Sequence, residues 1–175
     1  MKTVSEKIVI ALGIAVALGA ILFLTLRSGF EPAAAPRVEF RTLKGEVFDL
    51  ASLKGKVVLV NFWATSCEPC VRELPGIARS LSRFGAQGFE VVAVAMSYDP
   101  PNRVVEFVDK TSLPLKVSLD PLGEIEKGFG GLKFVPTSFV IDRRGYIARR
   151  IDGEIQFGAL HSLIEAKLKE PASGR

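Results

Sequence analysis

NFWATSCEPCVRELP, residues 61–75, holds the only two cysteines of the chain, Cys67 and Cys70. Just before them VVLVNFW, 57–63, is a nearly continuous apolar run of strand length, rich in β-branched and aromatic residues, as in a strand covered on both faces. After them Val71, Leu74, Ala78 and Leu81 return at three- and four-residue steps, the period of a helix. Pro69 suits its first turn, where a missing N–H costs nothing, and Gly85 and Gly88 are expected to end it. The cysteines therefore stand at a strand-to-helix junction. There the free N–H groups and the positive end of the helix dipole stabilise a thiolate at Cys67. Cys70, one turn in and beside the apolar face, is expected to be more buried and to serve as the resolving thiol.

A pair this close is a metal clip, a structural staple or a redox couple. A structural zinc site takes four Cys or His ligands. Only His161 remains, and it reads as a core-edge histidine on the last helix. A four-residue loop removes little chain entropy, so the staple has little to contribute. A reversible redox couple is left.

Outward from the pair, FEVVAVAM (89–96) reads as a second buried strand. A helix over 102–110, a strand at 115–119, a short helix at 122–127, a hairpin of 137–142 with 146–151, and a last helix over 156–169 follow. Phe157, Leu160, Ile164 and Leu168 share one face of that last helix. Ahead of the pair, 40–50 reads as a β-hairpin with Lys44-Gly45 at its turn. Strands alternating with helices give an α/β layer fold, one sheet between helices. At 175 residues the chain has room for one domain.

The hydrophobic fraction of 48% is swollen by one uncharged block, IVIALGIAVALGAILFLTL, residues 8–26. As a helix it would reach roughly 28 Å, close to a bilayer's hydrocarbon thickness. It reads as an uncleaved signal anchor; Ala33 to Ala35 offers the competing site for a cleaved signal peptide, whose apolar region is usually shorter. GFEPAAAPR after it has the composition of a tether. Residues 31–175 hold 20 Lys/Arg and 18 Asp/Glu, too even a balance for a nucleic-acid footprint. The cluster Arg143, Arg144, Arg149 and Arg150 reads as a solvated hairpin. GFGG, 128–131, reads either as a flexible lip or as the stop of the preceding helix.

FWATSCEPC, with Glu73 and Pro75 behind it and VPTSFVID at 135–142, resembles the thioredoxin superfamily, and more closely its TlpA/ResA-type membrane-anchored thiol-disulfide oxidoreductases. The likeness covers about residues 38–170. It implies a thioredoxin-like central sheet flanked by helices, with an N-terminal β-hairpin and a single N-terminal transmembrane helix. Residues 1–30 would be cytoplasmic tail and signal anchor, 31–37 a tether and 38–175 the folded domain. It also implies a cis-proline at Pro136, opposite Cys67 and Cys70, with Val135 and Thr137 beside it to meet a substrate backbone. Glu73 takes the place of the acid that influences cysteine protonation, the alternative being a solvated residue paired with Arg72 or Arg79. Glu68 and Pro69, between the cysteines, tune the potential. Two positions depart from the pattern. Asn61 replaces the buried acid of thioredoxin, and Ser66 replaces the usual tryptophan before the first cysteine, leaving Trp63 as a core indole.

The activity so implied is dithiol-disulfide exchange, with the Cys67–Cys70 disulfide as the sole redox group and neither cofactor nor metal. Partners would be disulfide-bearing proteins, apocytochrome c first and copper-site assembly proteins second, together with a membrane electron donor of the thiol-transfer type. The place implied is a bacterial inner membrane, crossed once, with the domain facing the periplasm or outer surface. The rival from another class is a Cu(I)-binding chaperone using the two thiolates as soft ligands.

Overall fold

The computed structural model describes residues 13–14, 18–19 and 33–172. The expected membrane anchor and tail, 1–30, lie almost wholly outside the described residues. Among those described, no helix is long and apolar enough to cross a membrane.

Five strands form one mixed sheet in the order β5-β4-β3-β6-β7. The strands are β3 (Val57–Trp63), β4 (Phe89–Ala95), β5 (Lys116–Leu119), β6 (Thr137–Ile141) and β7 (Ile147–Asp152). β3, central, runs parallel to β4 and antiparallel to β6. All seven of its side chains are buried, which is why its sequence reads as a solid apolar run rather than an alternation. A separate antiparallel pair, β1 (Glu39–Arg41) and β2 (Val47–Asp49), is the expected hairpin.

Helices α1 (Glu68–Phe84), α2 (Pro101–Thr111), α3 (Glu124–Gly128) and α4 (Phe157–Lys169) complete the unit. The pleat of β3 divides the core in two. Val57, Leu59 and Trp63 pack with Leu74 and Ile77 of α1, Val104 of α2 and Leu160 and Ile164 of α4. Val58, Val60 and Phe62 face Phe40, Ile125, Phe129 and Phe139 on the other side. Gly76 lets α4 approach α1 closely, since a Cβ there would meet the Phe157 ring at 2.3 Å. His161 sits at the core edge as read, its Nε2 2.9 Å from Ser80 Oγ.

Two readings need correction, and a third is decided between its alternatives. The stretch 31–37 is no free tether over its described part: Ala35 N–H donates to Gly145 O and Ile147 N–H to Ala33 O, so the compact unit begins at Ala33, not Val38. Alanine and proline look like linker in composition, but their backbone groups still pair. In the basic hairpin, Arg143 is fastened by its guanidinium to the carbonyls of Gly55, Leu168 and Glu170 instead of being solvated. GFGG ends α3 and is pinned: Gly131 N–H donates to Glu126 O, and the Phe129 ring is buried 4.6 Å from that of Phe139.

Candidate active site

Cys67 is the N-cap of α1, and Cys70 lies in its first turn. The two are joined by a disulfide. Cys67 is half-buried while Cys70 has no exposed surface. This is the asymmetry expected of an attacking and a resolving sulfur. The Cys70 N–H donates to Cys67 Sγ at 3.3 Å, using one of the free N–H groups of the helix start. In the dithiol that donor and the helix dipole favour a thiolate at Cys67.

The Val135–Pro136 peptide bond is cis, and the Val135 carbonyl oxygen lies 3.7 Å from Cys67 Sγ. Val135 therefore lies where a substrate strand beside the sulfur would meet it. Thr137, expected to share that contact, turns its side chain inward. It is fully buried in β6, its hydroxyl donating to the Phe134 carbonyl at 2.9 Å. Phe134, next to Val135 in the chain, is the exposed residue there, 52% accessible. No periodic pattern marks it, because Phe134 precedes the strand.

Glu73 is 4% exposed, so the solvated alternative is ruled out. Its Oε1 accepts from Asn61 Nδ2 at 2.8 Å and its Oε2 from the Ile155 N–H at 3.1 Å. Asn61 Nδ2 also donates to Ser138 Oγ at 3.0 Å. Burial pushes the Glu73 carboxyl up from its ordinary range, the bonds from Ile155 and Asn61 pull it back, and nearby Glu154 adds to the rise. Asn61, which cannot titrate, thus holds an acid delivered by the helix rather than by its own strand. Glu68 is exposed and paired with Arg72 at 3.0 Å, and Arg72 reaches Glu154. Pro69 is half-buried in the first turn. Trp63 is fully buried, its ring 5.2 Å from that of Phe107.

One further contact escaped sequence reasoning. Asp99, in the loop after β4, accepts from both the N–H and the hydroxyl of Thr65. An acid in a loop carries no pattern that names its partner, here 34 residues away.

This arrangement is that of known proteins. The AhpC/TSA family matches residues 33–150. The ResA thiol-disulfide oxidoreductase of Bacillus cereus is 35% identical over 120 residues, 69% of this chain and 68% of that protein. The one from Bacillus subtilis is 30% identical over 131 residues, 75% of this chain and 72% of that protein. The chain belongs to the ResA-type thiol-disulfide oxidoreductases of the AhpC/TSA family. Among solved structures, a thiol:disulfide interchange protein of the thioredoxin family from Chlorobium tepidum superposes with a TM-score of 0.73 at 29% identity, covering 81% of this chain and 99% of that one. StoA from Bacillus subtilis gives 0.63 at 26% identity over 75% and 98%.

The chemistry of such an oxidoreductase needs no group besides the two sulfurs. The Cys67 thiolate attacks a partner disulfide, forming a mixed disulfide and releasing one partner thiol. Cys70 then attacks Cys67 Sγ, releasing the second partner thiol and closing the Cys67–Cys70 disulfide. The partner is reduced by two electrons and this protein is oxidised by two. Glu73 follows Cys70 by three residues on α1, and burial pushes its carboxyl up from its ordinary range.

Proposed function

We propose that this oxidoreductase works as a membrane-tethered reductant outside the cytoplasm, with its dithiol passed to oxidised cysteines of partner proteins and refilled by a thiol-transfer donor in the membrane. The observation that carries the reading is the buried Glu73 beneath a helix-capping Cys67: a proton acceptor for Cys70 favours repeated turnover as a dithiol. The uncharged block 8–26 supports the anchor, and the two closely spaced cysteines of apocytochrome c are the first substrate to try, those of copper-site assembly proteins the second. The Cu(I)-chaperone rival gains no support: among the described residues no cluster of three or more His, Cys, Asp or Glu is placed to hold a metal ion.

The test is the equilibrium reduction potential of the full chain in defined thiol buffers, read by alkylation. A value near or below about −230 mV, toward the roughly −270 mV of thioredoxin, supports a reductant, whereas one near the roughly −120 mV of DsbA reverses the direction. Protease accessibility of the body in sealed membrane vesicles checks the side on which it lies.

A further inference from the structure

Of the buried carboxylates that the exchange reaction does not use, Asp99, Asp120 and Asp142, only Asp99 bonds to the segment that leads into Cys67. Asp99 is 4% exposed and forms no ion pair with a Lys or Arg among the described residues. Both of its oxygens are taken by a single residue: Oδ2 accepts the Thr65 N–H at 2.5 Å, and Oδ1 accepts the Thr65 hydroxyl at 2.6 Å. Thr65 opens the turn that presents the nucleophile, and the Cys67 N–H closes that turn onto Ala64 O at 3.1 Å. Among the described residues no other side chain bonds to residues 64–66. The acid itself is fixed, its N–H donating to Met96 O at 3.0 Å one residue before Pro100, the cap of α2.

The second consequence is electrostatic. Thr65 and Cys67 are two residues apart, so their Cα atoms are within about 7 Å, and the carboxylate bonded to Thr65 lies against the turn that carries the sulfur. Nearby charges on α1 are largely balanced, because exposed Glu68 is paired with Arg72. On α2 Glu106 is paired with Lys110, leaving Arg103 in solvent. Residues 134–141 carry no ionisable side chain. Buried Glu73 on α1 and Glu126 near Tyr98 add to the negative side.

We propose that Asp99 is a positioning residue for thiol-disulfide exchange: through Thr65 it fixes the Cys67 turn, and through its charge it disfavours the Cys67 thiolate, making the dithiol a stronger reductant. A less stable thiolate shifts the couple toward the disulfide, so electrons leave for the partner disulfide more readily. The inference rests on the Cys67–Cys70 exchange alone and on no particular partner or location.

Asp99→Asn separates the two effects. The amide oxygen still accepts the Thr65 N–H, and the amide nitrogen donates to the Thr65 hydroxyl, so the clasp survives without the charge. On the reduced full chain, alkylation of Cys67 is followed against pH by peptide mass spectrometry, and the equilibrium constant is measured against glutathione. One unit charge about 10 Å away in an effective dielectric of about 20 moves a titration by about one unit. The Asp99→Asn midpoint is expected about one unit below wild type, with the equilibrium shifted up to tenfold toward the dithiol, at most about 30 mV. Thr65→Val keeps the charge and drops one bond; it is expected to slow exchange several-fold, and Thr65→Ser to restore it. An Asp99→Asn protein whose midpoint and equilibrium constant match wild type, or move the opposite way, overturns the electrostatic role. Equal exchange rates for Thr65→Val and Thr65→Ser overturn the positional one. Failure to reduce apocytochrome c would sink the proposed function and leave these equilibrium results untouched.

Discussion

Gly76→Ala tests the packing that holds the site together. An added Cβ would lie 2.3, 2.6 and 2.9 Å from three carbons of the Phe157 ring, where carbon atoms in contact want about 3.5–4.0 Å. More than 1 Å of movement is needed, and Gly76 is buried in the middle of α1. Overpacking of this kind costs about 1–3 kcal/mol. Against it stands the helix preference of alanine over glycine, about 1 kcal/mol. For so deep a clash the steric term wins, leaving a net loss of about 1–2 kcal/mol. In a folded unit of this size that lowers the melting temperature by about 3–8 °C. The disturbance should travel to the site as well, since the Ile155 N–H that holds Glu73 lies two residues before Phe157. Urea unfolding of wild type, Gly76→Ala, Phe157→Leu and the double variant measures the loss and its coupling, which should be strongly non-additive because the smaller ring relieves the clash. A Gly76→Ala protein as stable as wild type, or more so, refutes the reasoning: helix propensity would then outweigh the contact.

Other outcomes follow from the site. Glu73→Gln keeps the bond from Ile155 to its oxygen, while its amide nitrogen meets the Asn61 Nδ2 donor, so Asn61 has to turn its Oδ1, otherwise without a partner, toward it and give up its present bond to Ser138. Burial raises the folded carboxyl above 4.5, so the stability contribution of Glu73 is fully present below that value and is lost as pH rises through the folded one. The stability of Glu73→Gln relative to wild type should therefore climb with pH from about 4.5 and then level; a flat or falling difference in urea unfolding sinks the sign. Asn61→Ala removes donors to both Glu73 and Ser138 and should cost about 1–3 kcal/mol in the same assay. Cys70→Ser should accumulate a mixed disulfide with an oxidised partner peptide and Cys67→Ser should not, as gel shift under non-reducing conditions will show. Phe134→Ser should weaken capture of that peptide by Cys70→Ser, seen as a slower rise of the same band.

The parts of the fold with a period were legible. β3 and β4 announce themselves as solid apolar runs, and α1 by the steps from Val71 to Leu81. What periodicity cannot carry is the identity of a tertiary partner. Glu73 sits between Arg72 and Leu74 in sequence, yet its side of α1 turns onto Asn61 and under Ile155, so an acid that looks solvated is buried. The Asp99–Thr65 clasp joins two loops, and loops have no repeat to read. The docked Ala33–Ala35 segment was missed because composition describes side chains while the pairing is made by backbone. Thr137 shows a related limit: its place next to Pro136 in the chain does not tell which face of β6 its side chain takes, and that side chain is buried.

That docked segment also fixes a distance. It enters beside Gly145 and Tyr146, at the turn between β6 and β7, whereas the disulfide caps the other end of β3. Seven residues of extended strand separate the two poles, about 20 Å. The reactive sulfur is thus carried on the far pole from the point where the preceding chain is attached. Changes in the chain ahead of Ala33 are therefore joined to the protein at the pole opposite the reactive sulfur, a full strand length from the contacts around it.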